Sequence, residues 1–206
     1  PLYSSAASDV YKRQDLTTRQ PKSISILWAF GDKETRDGID ECMRKATEMT
    51  IEYFENEYAT TRAGQGGVAS VSADGVAGFV FDHYDNRNGD PQPHKHIVIS
   101  NRVRRSSDKM WTALDGRKIY AGMVEISEVH ENLLQDLLTE RFGWSWTLKQ
   151  DNGTKAMVNE VDGVPQELIN AFSSRDAEID LLLEKKIKEY ETCLLYTSPS
   201  RRDKRQ

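Results

Sequence analysis

Along residues 33 to 58, Ile39, Met43, Ala46, Thr50 and Phe54 recur every three or four positions on an otherwise charged segment, which predicts an amphipathic helix. A second stripe through Met123, Ile126, Leu133, Leu134, Leu137 and Leu138 predicts another long helix over residues 119 to 142, stopped by Gly143. Other stretches carry the two-residue period of strands. Residues 23 to 30 alternate and then run apolar, as a mostly buried strand would. Residues 68 to 72 and 76 to 83 predict a hairpin across Ala73-Asp-Gly75, after the break at Gly64-Gln-Gly-Gly67. A polar loop over 84 to 93 leads into a strand over 94 to 103, and residues 111 to 114 suggest another short one. Residues 144 to 148 and 156 to 161 form a second hairpin pattern across Asp151-Asn-Gly153, and Val164-Pro165 opens a last charged helix. Strands gathered in hairpins between long helices predict an α+β fold: an antiparallel sheet with helices packed mainly on one face.

The two ends read unlike the rest. Written in codons, Asp9 to Gln14 gives, on the complementary strand and one frame over, Cys193 to Thr197. Residues 1–14 and 193–206 are therefore read as one inverted DNA element, an artefact resembling a translated sequencing adapter, and set aside from fold reasoning. The expected unit is residues 15–192, one domain without its native N-terminus, long enough to bury a sizeable core. The ends hold six Lys/Arg and two Asp/Glu, so without them 28 basic and 33 acidic residues become 22 and 31, and the net charge moves from −5 to −9. Bulk positive charge is thus no basis for nucleic-acid binding, and any such contact must be local or metal-assisted. Only Cys42 lies inside the unit, which fits a reducing compartment and a cytoplasmic location. No apolar run approaches a membrane span, so no membrane insertion is expected.

The candidate chemistry lies in Asp90-Pro-Gln-Pro-His-Lys-His-Ile-Val98. Strand alternation points His94 and His96 to one side and Lys95 to the other. His83 closes the preceding strand and, across an antiparallel return, reaches the same spot. Three neutral imidazoles would hold a divalent ion and leave coordination positions open, as in a catalytic centre. His130, mid-helix among polar residues, is expected to be solvated. Asp82, Asp85 and Asp90 lie near enough to orient imidazoles, with turn capping the preferred role for Asp85 and Asp90.

Asp15-Leu-Thr17, Pro21-Lys-Ser-Ile-Ser-Ile-Leu-Trp-Ala29, Phe81-Asp-His83, Asp90 to Val98, Asn101-Arg-Val103, Ala113-Leu-Asp-Gly116, Gly163-Val-Pro-Gln-Glu-Leu-Ile169 and Phe172-Ser173 follow one another along the chain. In that order they resemble the TrwC/TraI-like (MobF) conjugative relaxases of the HUH endonuclease group. The resemblance implies a palm-like antiparallel sheet and an enzyme that nicks and rejoins one DNA strand at a transfer origin by tyrosine transesterification. It implies His83, His94 and His96 as metal ligands, with Mg²⁺ or Mn²⁺ expected and Zn²⁺ or Ni²⁺ as alternatives, and Asp15 as the catalytic aspartate that orients a histidine or takes the tyrosine proton. Implied partners are single-stranded DNA, relaxosome accessory proteins and a secretion-system coupling protein.

Thr18-Arg-Gln20 and Lys95 depart from the family's usual residues without removing a ligand. The larger departure is that the family's nucleophilic tyrosines precede the aspartate motif, where this chain has only Tyr3 and Tyr11 of the set-aside end. The expectation is therefore a chain that binds metal and DNA without cleaving. Lys22, Ser23, Arg87 and Asn101 fall in or beside matched motifs and are the candidate DNA contacts; Trp111 offers a stacking ring, with burial the commoner fate of a tryptophan. Two other classes stay open: a non-catalytic DNA-binding replication or mobilisation module, and a cupin-type metalloenzyme. A cupin would carry a glutamate just after the histidines, and residues 97 to 101 have none.

Overall fold

A computed structural model describes residues 13–150 and 157–196. A three-stranded antiparallel sheet is built from β1 (Arg13–Thr17), β4 (Gly78–Asp85) and β5 (Pro91–Ser100), with β5 in the middle. Its register pairs Asp15 with Val98 and Thr17 with His96 on one edge, and Phe81 with His96 and His83 with His94 on the other. β2 (Thr60–Ala63) pairs with β3 (Ala69–Ser72), β6 (Arg102–Arg104) with β7 (Trp111–Ala113), and β8 (Trp146–Gln150) with β9 (Met157–Val161). The helices are α1 (Lys22–Phe30), α2 (Lys33–Tyr58), α3 (Gly116–Phe142), α4 (Gln166–Ala171) and α5 (Ser174–Tyr196).

The long helices follow their stripes. Ile39, Met43, Ala46, Thr50 and Phe54 of α2 are all buried, and Asp32 starts the helix by accepting from the Thr35 amide at 2.8 Å. Gly143 ends α3 in the left-handed region, φ 69°. Phe54 and Tyr58 of α2 and Ile119 and Ile126 of α3 pack with Leu16 of β1 and with Ile97 and Ile99 of β5. Burying each such aliphatic chain contributes about 1.5–3 kcal/mol. The opposite face of the sheet, carrying the histidines, is left open by these helices.

The sequence pattern fails at residues 23 to 30, which form α1 and no strand. Its amide ends are satisfied from far along the chain: the Glu160 carboxylate accepts from Lys22 N at 3.3 Å and Ser23 N at 2.8 Å. At the other end Arg36 donates to the Trp28 and Ala29 carbonyls at 3.1 and 3.2 Å. Ser23, Ile24, Ser25 and Ile26 are all buried because α1 is covered on several sides, so its apolar and small residues show no helical period. The expected hairpin across Ala73-Asp-Gly75 also separates: β3 turns back onto β2, and β4 joins β5. The connecting backbone is held instead by Ala73 N to Ala59 O at 2.8 Å and Val76 N to Glu55 Oε1 at 2.9 Å. The strand expected over 94 to 103 bends at Asn101, and the last helix breaks at Phe172-Ser173 into α4 and α5. β8 and β9 form the expected second hairpin; its predicted turn, Asp151-Asn-Gly153, lies outside the described residues, as do residues 1–12 and 197–206 of the two ends. Arg13 and Gln14 extend β1, and residues 193–196 lie within α5.

Candidate functional site

On the open face, β4 and β5 bring His83, His94 and His96 together with ring centroids 4.7 to 5.2 Å apart. One nitrogen from each lies within 4.8 Å of the others. The neighbours of two rings fix which nitrogen is offered. Nδ1 of His94 lies 2.7 Å from the Gln92 carbonyl, which can only accept. Nδ1 of His96 lies 3.0 Å from Asp15 Oδ1 and 3.3 Å from Thr17 Oγ1. Both rings therefore carry their proton on Nδ1 and turn the Nε2 lone pair outward, the tautomer a metal ligand needs. The donor set fits a divalent ion: three imidazoles, two of them oriented by an acceptor behind the ring.

Asp15 reaches His96 because β1 lies beside β5, with Thr17 directly opposite His96. Thr17 was part of the matched motif, yet its place beside the imidazole follows only from the register. Asp82 faces the other way and pairs with Lys95. Asp90 is buried and accepts from Asn86 Nδ2 at 2.9 Å, Ser174 N at 3.0 Å and Ser174 Oγ at 2.7 Å, which ties the β4–β5 turn to the start of α5. Burial pushes its pKa up, but these hydrogen bonds outweigh burial and hold it below the usual carboxylate value.

The remaining candidates are distributed. Lys22 Nζ donates at 3.1 Å to the carbonyl of Pro91, three residues before His94. Arg87 is exposed on the turn leading into β5. Asn101 sits at the bend beyond β5, where its carbonyl accepts from Leu114 N at 2.9 Å. Ser23 is fully buried in α1, and its hydroxyl accepts from Val161 N at 2.9 Å. His130 is likewise buried, against the expectation of a solvated side chain, and its Nδ1 lies 3.1 Å from Thr50 Oγ1. Trp111 is 65% exposed, where burial was the commoner expectation.

A sequence model of the TrwC relaxase family matches residues 11–206. The chain belongs to this family. It is 27% identical over 173 residues to the multifunctional conjugation protein TraI of Escherichia coli, covering 80% of this chain and 9% of that protein. Against TraI of Escherichia coli strain K12 the identity is 26% with the same coverage. Among solved structures it is similar to the conjugative relaxase TrwC in complex with oriT DNA in its metal-bound form, with TM-score 0.71 and 26% identity over 85% of this chain and 57% of that one. TrwC complexed with a 27-mer DNA comprising the recognition hairpin and the cleavage site gives TM-score 0.64 and 25% identity over 92% of this chain and 62% of that one. The chain thus spans 9% of the length of the TraI proteins it matches. The mixed helices and antiparallel sheet match the TrwC relaxase fold.

Orientation of a ligand by the carboxylate behind it gives a direct expectation. Asp15→Ala should weaken divalent-metal affinity by about 10- to 100-fold with the fold intact, measured by Mn²⁺ titration calorimetry. An unchanged affinity would remove Asp15 from the site.

Proposed function

We propose that this chain is the part of a conjugative relaxase that holds a divalent ion and a single strand of DNA at a transfer origin. The observation carrying this is the His83/His94/His96 cluster with Asp15 and the Gln92 carbonyl behind it, in a TrwC-family chain. His83, His94 and His96 would be the ligands, with Mg²⁺ or Mn²⁺ the preferred ion and Zn²⁺ or Ni²⁺ the alternatives. When bound, such an ion would polarise the non-bridging oxygens of the scissile phosphate and offset charge gathering there. Asp15 keeps His96 in one tautomer and one orientation, the first of the two roles the resemblance offered. Lys22 and Arg87 would meet phosphates before the triad and Asn101 beyond it, with Ser23 acting only through the start of α1.

In the full-length parent, a tyrosine oxygen would attack the phosphorus, form a new P–O bond and expel the 3′ oxygen. This leaves a 5′-phosphotyrosine and a free 3′-OH, and reversal rejoins the strand. Three of the described tyrosines are already engaged elsewhere. Tyr53 and Tyr58 both donate to Glu125, and burial followed by that hydrogen bond pushes Tyr58 up to about 12. Tyr84 stacks on Trp28, ring centroids 5.4 Å apart. On this reading the chain as given binds metal and DNA without cleaving. Relaxosome accessory proteins, a coupling protein and a cytoplasmic setting belong to the same reading; among the described residues no helix is long and apolar enough to cross a membrane.

The test is covalent capture. Incubated with single-stranded transfer-origin oligonucleotides and Mg²⁺ or Mn²⁺, this chain is expected to give no denaturant-stable adduct, and a longer form carrying an N-terminal tyrosine is expected to give one. Failure of the longer form across metals and oligonucleotides would favour a non-catalytic DNA-binding module instead.

A further inference from the structure

Two imidazoles of the triad are oriented from behind their rings, and the third is not. Among the described residues no hydrogen bond fixes the His83 ring. Its strand, β4, is an edge of the sheet that pairs only with β5, and that pairing turns irregular between His83 and Asp85. A slip of one residue there would turn His83 to the opposite face. The residues on either side of His83 are each gripped by a different element. Asp82 pairs with Lys95, which stands directly opposite it on β5, between His94 and His96, with a side chain only 12% exposed. Lys95 is also tied to the other edge of the sheet: Thr18 N donates to its carbonyl at 2.9 Å, and its amide donates to Thr18 Oγ1 at 3.0 Å. Tyr84 stacks on Trp28 of α1 with 9° between the ring planes. Trp28 Nε1 in turn donates to Asp40 Oδ1 of α2 at 2.9 Å. The two anchors meet, because Asp40, Asp82, Tyr84 and Lys95 line one cavity of about 260 Å³ together with His83 and His94.

Backbone pairing thus weakens where the third ligand sits, and side chains take over. A cross-strand pair of opposite charge fixes which residues stand opposite each other, because sliding either strand separates the charges. A stacked ring pair, tied at its far side to a carboxylate, fixes how far the edge stands from the helices. Burial pushes the Asp40 carboxyl above its usual value, against the Trp28 hydrogen bond and the nearby charge of Lys95, so the two anchors also share one electrostatic environment. We propose that Lys95 and Trp28 are positioning residues for the third metal ligand: gripping Asp82 and Tyr84 on either side of His83, they hold the sheet edge where its imidazole meets those of His94 and His96. The brace rests on the metal centre of the proposed function and adds what completes it. Lys95 is a position where this chain departs from its family's usual residue, so the brace is built from residues of this chain's own.

The experiment is a double-mutant cycle read by titration calorimetry with Ni²⁺, which nitrogen ligands bind more tightly than Mn²⁺. Lys95→Met and Trp28→Leu are each expected to weaken Ni²⁺ binding about tenfold, and Lys95→Arg, which keeps the charge, to retain most of it. In a His83→Ala background, where two imidazoles remain, Lys95→Met and Trp28→Leu are expected to cost nothing further, because the brace acts through His83. Circular dichroism checks the fold of every variant; should Trp28→Leu fail to fold, Tyr84→Leu, at a half-exposed ring, carries the same arm. If the wild type binds and the single variants match it, the brace is wrong and the metal centre stands. An equal loss in the His83→Ala background would make Lys95 and Trp28 general supports of the fold and would also overturn the brace. If the wild type takes up no Ni²⁺, brace and metal centre fall together.

Discussion

His94→Ala is expected to abolish the rise in melting temperature that a divalent ion gives the wild-type chain, and to leave the metal-free melting curve nearly unchanged. An ion that binds only the native state, at about a hundred times its Kd, stabilises by about 2.7 kcal/mol. For a chain of this size that is about 5–10 °C. The three imidazoles lie on the open face of the sheet, apart from the core that holds the fold, so removing one costs metal and little else. Differential scanning calorimetry with and without Mn²⁺ measures both quantities. A lower metal-free melting temperature in the variant would make His94 a structural residue, and an unchanged metal response would place the ion elsewhere.

The second large effect is a loss of stability in acid that traces to one buried ring. Burial, with a smaller contribution from nearby Lys95, lowers the pKa of His130 to about 4. The Thr50 hydroxyl donates to the Ala46 carbonyl at 2.7 Å, so it accepts from Nδ1–H of a neutral imidazole. The unfolded chain takes up the proton first, near pH 6.5, and the folded chain resists it until about pH 4. The contribution is therefore fully present above about pH 6.5 and lost as pH falls from there to about 4. Its size is on the order of 3 kcal/mol from the two-and-a-half-unit gap. His130→Gln keeps a donor for Thr50 and does not titrate. Urea unfolding of both chains across this range should show the wild type losing more stability than the variant by about that amount. Carboxylates such as Asp74 and Asp90 contribute equally to both curves, and parallel curves would contradict the assignment.

His130 also shows what local pattern can miss. Its sequence neighbours are polar, which suggested a solvated side chain, yet Ile126, His130, Leu134 and Leu138 are spaced by four and share the buried stripe of α3. The spacing was legible, but its polar partner was not, because Thr50 comes from α2 across the interface. Helix α1 was lost for a similar reason: its caps, Glu160 and Arg36, are supplied from outside the segment, and all-round burial removes its period. The split of β3 from β4 depends on pairings with β2 and β5 that a turn signal cannot announce.

What did come through rests on positions whose chemistry and period agree. The buried stripe of α2, the hairpin of β8 and β9, and the shared face of His94 and His96 each follow from alternation or helical spacing alone. The contribution of His83 needed the antiparallel return of β4, and that of Asp15 needed the family resemblance as well as the pairing of β1 with β5. Trp111 escaped because a tryptophan beside a strand is more often buried, and only the register with Arg104 reveals which way it points.

The most direct test of the account is an electron paramagnetic resonance titration of Mn²⁺ into the chain and into the variant with His83, His94 and His96 all changed to Ala. The account predicts that the wild type suppresses the free-ion signal until a single ion per chain is bound, and that the variant, still folded by circular dichroism, leaves the free-ion signal intact. Equal uptake by both chains would contradict the histidine centre on which the relaxase reading depends.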